Sequence, residues 1–129
     1  MVRTAIKSIL ETASIPAKVY GLHVPHSRGA NWIIVTNISN VPNNTKKAVS
    51  TLDRTRWQLD CYSNTEERMD ALGAAVRAAM DNYSGTVESV IFSRITFDGE
   101  SDTVELIEDE GAREEYYRRT QEYLIHISR

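Results

Sequence analysis

Cysteine occurs once in this chain, at Cys61. One thiol excludes an internal disulfide and fits a reducing compartment. Histidine is nearly as scarce. His23 and His26 stand three residues apart, and no second pair of Cys or His follows to complete a zinc site. No apolar run approaches the roughly 20 residues that cross a bilayer. The opening stretch "MVRTAIKSILETAS" is interrupted by Lys7 and Glu11, so it reads as a helix and not as a signal peptide. No G-x-S-x-G elbow, H-E-x-x-H pair or phosphate-cradling glycine loop is present. These absences point to a soluble protein made in the cytoplasm, not an enzyme, with no metal and no cofactor.

What is there suits one domain. The 129 residues are 41% hydrophobic, enough for a single core spanning 1–129. Charge is unevenly distributed although the net is only −3. Residues 1–56 carry eight Lys/Arg and two Asp/Glu, while residues 57–129 carry seven and sixteen. The stretch "DGESDTVELIEDEGAREE", 98–115, holds nine of the eighteen acids. Such asymmetry bears on partners and self-association, not on fold.

Periodicity supplies the elements. Ile6, Ile9 and Leu10 mark a short amphipathic helix over 4–13, with Thr4 as its expected N-cap. Residues 15–31, broken by Pro16, Gly21, Pro25 and Gly29, allow one short strand near Lys18–Tyr20. "WIIVTNIS", 32–39, reads as a strand, and "NVPNNTKKAVSTLD", 40–53, as a long loop. In 54–62, Trp57, Leu59 and Cys61 alternate with Gln58, Asp60 and Tyr62, the pattern of a sheet covered on one side. Ser63 or Asn64 is expected to cap a helix with Met69, Leu72, Val76, Met80 and Tyr83 along one face. Its alanines allow close approach to a sheet. "VESVIFSRITF", 87–97, is the next strand, closed by a turn at Asp98-Gly99. A brief edge strand at 103–107 and a terminal strand at 115–128 complete an α+β, two-layer domain. It is expected to hold a mainly antiparallel sheet of about four strands, with two helices on one face.

Three chemical readings can be weighed on residues alone. Asp60 and Glu88 could pair across strands as a metal-dependent nuclease, a claim most acidic sheet proteins would support. Asp98, Glu100 and Asp102 have calcium-loop spacing but lack its sixth-position glycine and twelfth-position Glu. Lys46, Lys47, Arg54 and Arg56 form a basic cluster, and Arg118-Arg119 a second. The acidic excess of the C-terminal half argues against a dedicated duplex-binding module.

Four segments in order carry a family resemblance: the N-terminal helix followed by "AKVYGLHVP", then "NWIIVTNIS", then "RWQLDCYSNTEERMDALGAAVRAAM", then an acidic stretch leading to "YYRRTQEYLIHIS". Together they resemble the tail-completion family of long-tailed bacteriophages, the tail-terminator and tail-to-head joining proteins. Asn31-Trp32 departs from that pattern, where a proline and a smaller aromatic are usual. The resemblance implies a structural virion protein that forms a ring, commonly hexameric, at the head-proximal end of the tail. The ring would end tube polymerisation and join tail to head. Its implied partners are further copies of itself, the major tail tube protein and head connector or neck proteins. DNA would pass through the channel without specific binding, and no membrane is involved. A head-side connector or stopper is the neighbouring alternative. On this reading Lys46, Lys47, Arg54 and Arg56 are candidates for a subunit or ring interface. Asp98, Glu100, Asp102, Glu108, Asp109 and Glu110 are candidates for a channel lining or ring-to-ring face.

Overall fold

A computed structural model describes the backbone of residues 2–15, 17–21, 31–44, 49–109 and 112–128, and the side chains of these residues except within 40–53 and 105–114. The elements are α1 (Val2–Thr12), β1 (Lys18–Tyr20), β2 (Asn31–Asn44), β3 (Val49–Ser63), α2 (Glu66–Met80), β4 (Gly85–Val87), β5 (Val90–Asp109) and β6 (Ala112–Ser128). All six strands join one sheet in the order β1-β2-β3-β6-β5-β4. Only β1 runs parallel to its neighbour; every other pairing is antiparallel. The expectation of about four strands in a mainly antiparallel sheet is therefore corrected to a six-stranded mixed sheet within a chain that remains α+β.

Both helices cover the same face. Ala5, Ile6, Ile9 and Leu10 of α1 and Leu72, Val76 and Met80 of α2 pack with Ile33, Val35, Trp57, Leu59, Cys61, Phe92, Ile95, Tyr123 and Ile125 of the sheet. The alternation read at 57–62 holds on the helix-covered side, where Trp57, Leu59 and Cys61 are buried. The other side is not simply open: Asp60 and Tyr62 are buried too, Tyr62 in a second cluster with Trp32 and Tyr116. α1 begins at Val2, so Thr4 lies inside the helix and is not its cap. Thr65, not Ser63 or Asn64, caps α2; its hydroxyl accepts from the Arg68 N–H at 3.2 Å.

The missed strands have identifiable causes. Most of the stretch 40–53, read as a loop, is strand: β2 runs to Asn44 and β3 starts at Val49, while residues 45–48 lie outside the described residues. Backbone ladders tolerate polar side chains when neither face must be buried. The run 87–97 is divided by a turn at Glu88-Ser89, both at positive φ (50° and 65°), so Val87 belongs to a separate strand. Asp98-Gly99 does not turn the chain. The ladder shifts between Phe97 and Gly99, and Gly99 has φ 152°. The conformational freedom of glycine here makes a bulge, because β6 continues opposite. β5 thus extends unbroken through the expected edge strand to Asp109.

Candidate functional site

The register sets the far ends of the two charged regions apart but brings their near ends together in mid-sheet, where Asp98 stands beside Arg56. β3 and β6 pair from Leu52↔Ser128 to Ser63↔Tyr117. The β2–β3 connection lies beyond the first end and the β5–β6 connection beyond the second. β6 spans 17 residues, roughly 50 Å of strand at about 3.3 Å per residue. Arg54 and Arg56 lie towards the β2–β3 end. Lys46 and Lys47 fall in that connection, outside the described residues. Glu108 and Asp109 end β5 at the other extreme, their side chains outside the described set, and Glu110 lies outside it altogether.

Arg54 is exposed. Arg56, by contrast, is engaged within its own chain: its Nη1 donates to Asp98 and lies 3.7 Å from Glu122. The Asp98 carboxylate holds the guanidinium above its ordinary proton affinity. Glu100 and Asp102, beyond the bulge, turn to the helix-covered face and meet Arg119. That guanidinium donates to Asp102 at 2.8 and 3.0 Å and to Asp70 of α2 at 2.6 Å, with Glu100 at 3.9 Å. Its hydrogen bonds lower the Asp102 carboxyl below its usual range. One cation thus faces three acids here, and Arg56 faces two. Pairing dilutes the negative charge of this strand without cancelling it.

Sequence reading marked Arg119 only as half of a basic pair and missed its fastening role. Gly73 makes the contact possible. A Cβ there would stand 2.6 Å from Arg119 Cδ. Gln121 completes the join, donating to the Gly73 carbonyl at 2.9 Å and accepting from Tyr123 Oη at 2.8 Å. Ala79 of α2 packs against the core, but the closest approach, at Arg119, needs the glycine. A lone buried-face Gly in an Ala-rich helix was the available signal.

The postulated nuclease pair is not assembled. Asp60 is buried and accepts from Thr120 Oγ1 at 2.6 Å and Gln58 Nε2 at 2.9 Å. Glu88 lies in the β4–β5 turn, where it accepts from Ser8 Oγ of α1 at 3.2 Å. Through the ladder Asp60 is level with Ser101 and Glu88 lies beyond Val90, roughly 30 Å apart along the strands. His23 and His26 lie outside the described residues. Among the described residues no group of three His, Cys, Asp or Glu is placed to hold a metal. Burial, with the nearby Asp60 charge, pushes the Cys61 thiol up to about 12, the setting of a packing residue and not a nucleophile. Among the described residues no helix is long and apolar enough to cross a membrane.

The chain is similar in structure to a chain of the virion of a native gene transfer agent (GTA) particle, with a TM-score of 0.75 at 10% identity, covering 99% of this chain and 95% of that one. At that identity the likeness shows the fold alone. No curated protein matches the sequence. A family described as Tail completion protein gp17 matches over residues 2–123. Matched over nearly its whole length, the chain belongs to the bacteriophage tail-completion family, structural proteins of the virion tail.

Proposed function

We propose that this protein forms a ring, hexameric in the completed particle, at the head-proximal end of the tail tube, where it ends polymerisation and joins tail to head. The observation that carries the reading is family membership over residues 2–123. The GTA virion likeness adds a fold found in a phage-like particle. A ring requires a heterologous contact, in which two different patches of one subunit meet. The uneven charge, basic at Lys46, Lys47 and Arg54 and acidic from Glu100 onward, offers two unlike patches. The basic residues Lys46, Lys47, Arg54 and Arg56 serve one side of a subunit or ring contact. The acidic segment carrying Asp98, Glu100, Asp102, Glu108, Asp109 and Glu110 faces the channel or the adjoining ring. An acidic lining lets DNA pass by repelling phosphates, not recruiting them. The partners are other copies, the major tail tube protein and the neck proteins of the head.

Immunogold electron microscopy of purified tails tests this. The expected label is a single site at the head-proximal end. Label at the distal tip, or none on virions, refutes the proposal.

A further inference from the structure

The sheet has two open edges, and their geometry specifies how one subunit adds to the next. On one side β4 pairs only with Val90–Phe92 of β5. The next outward-facing groups are closed by the α2–β4 connection. The Ile95 N–H donates to the Tyr83 carbonyl at 3.1 Å, its carbonyl accepts from Asn82 at 2.8 Å, and the Phe97 N–H donates to Asp81 at 3.1 Å. Beyond the bulge nothing among the described residues continues this pairing. Antiparallel ladders alternate inward and outward residues. Ile95 and Phe97 face outward opposite Ile125 and Tyr123, so the outward positions past the bulge are those opposite Gln121, Arg119 and Tyr117: Glu100, Asp102 and Val104.

On the other side β1 pairs only with Trp32–Ile34 of β2. The Val35 carbonyl accepts from Arg3 Nε at 3.2 Å, and Pro42, which has no N–H to offer, stands further on. Between them β2 from Thr36 to Val41, paired with β3 on its inner side, has no strand along its outer edge among the described residues. Unpaired edges of this length are templates for another strand.

Only three large apolar side chains are exposed among the described residues: Ile38 at 45%, Ile91 at 47% and Val104 at 60%. Two of them lie on these two open stretches. Val104 also borders a cleft lined by Glu66, Met69, Asp102, Thr103 and Tyr117.

We infer that β5 of one subunit, from Glu100 to Glu108, accepts β2 of a second copy, from Thr36 to Val41, with Ile38 packing against Val104. The inference rests on the ring reading above. Three features select this occupant. The two edges lie on opposite sides of the sheet, so the contact is heterologous and can close a ring. β2, β3, β6 and β5 alternate in direction, so a second copy set beside the first in the same orientation brings its β2 antiparallel to β5. The open part of β5 lies at the acidic end and that of β2 at the basic end, so pairing staggers the subunits and brings unlike charges together.

Two variants, each supplied to a phage lacking the gene, test the contact on assembled tails. Ile38→Cys with Val104→Cys in one chain, mildly oxidised, gives a ladder of disulfide-linked multimers on denaturing gels, while either single variant stays monomeric. Native Cys61 is buried and does not contribute. Val104→Pro removes an N–H that faces away from β6, so the chain keeps its melting temperature but loses the ring. Absence of the ladder on ringed tails overturns edge pairing and leaves the ring reading standing, as does a ring that persists with Val104→Pro. Absence of any ring with the wild-type protein overturns both. If Val104→Pro fails to fold, the cross-link alone decides.

Discussion

At the residue scale, the join between α2 and the β5–β6 hairpin depends on an absent side chain. Gly73 faces Arg119 Cδ, Arg119 Nη1 and Gln121 Nε2, which an added Cβ would meet at 2.6, 3.1 and 3.4 Å. Arg119 cannot yield cheaply, because Asp70 and Asp102 hold its guanidinium from two elements. Gly73→Ala gains up to about 1 kcal/mol of helix propensity, but overpacking costs about 1–3 kcal/mol. The expected result is a lower urea midpoint; a higher one would mean that Arg119 moves aside freely. Cys61 is fully buried among apolar neighbours. Folded protein at pH 8 should therefore react with a thiol reagent no faster than it unfolds, and rapidly once denatured. Cys61→Ala should lower stability by about 1 kcal/mol through lost packing. Fast modification of the native protein would show an open thiol.

At the element scale, hairpin geometry decides what polar residues do. Glu88 and Ser89 both take positive φ across a two-residue connection, the conformation favoured in primed turns. Neither residue type prefers it. Ser89→Gly should raise stability by about 0.5–1 kcal/mol, read as a higher melting temperature, because glycine adopts this conformation without Cβ strain. A fall in melting temperature would show that unfolded-state entropy outweighs the strain. The same reasoning explains the uneven legibility of the strands. Trp57, Leu59 and Cys61 advertise β3 because one face must be buried. Asn40 to Asn44 and Ser101 to Asp109 do not show an apolar face of that kind, and it is their pairing with β3 and β6 that makes them strand. Asp98-Gly99 is a turn signal by composition, yet the long partner strand makes it a bulge.

At the scale of the whole molecule, the proposed ring predicts that charge at Lys46, Lys47 and Arg54 matters to the particle more than to the fold. Reversing Lys46, Lys47 and Arg54 to Glu should spare the fold: Arg54 is exposed, and surface substitutions usually alter stability by about 0.5 kcal/mol or less. Across an interface, like-charge contacts cost several kcal/mol. The triple variant should fold with an unchanged circular dichroism spectrum and fail to complement a phage lacking the gene. Overlong or unjoined tails beside DNA-filled heads are the expected phenotype. Normal titre with normal tails would show that these charges are merely solvated.

The two helices, the apolar face of β3, the inert position of Cys61 and the family were legible along the chain, because each rests on local periodicity or on an ordered series of segments. The strand count, the bulge at Gly99, the fastening of Arg119 to Asp70 and Asp102, and the separation of Asp60 from Glu88 emerge only in the folded sheet. Those depend on register, and register is set between strands far apart in the chain. Ser63 and Tyr117 are neighbours although 54 residues separate them. No window along the sequence contains both, so only the folded sheet brings such residues together or holds them apart.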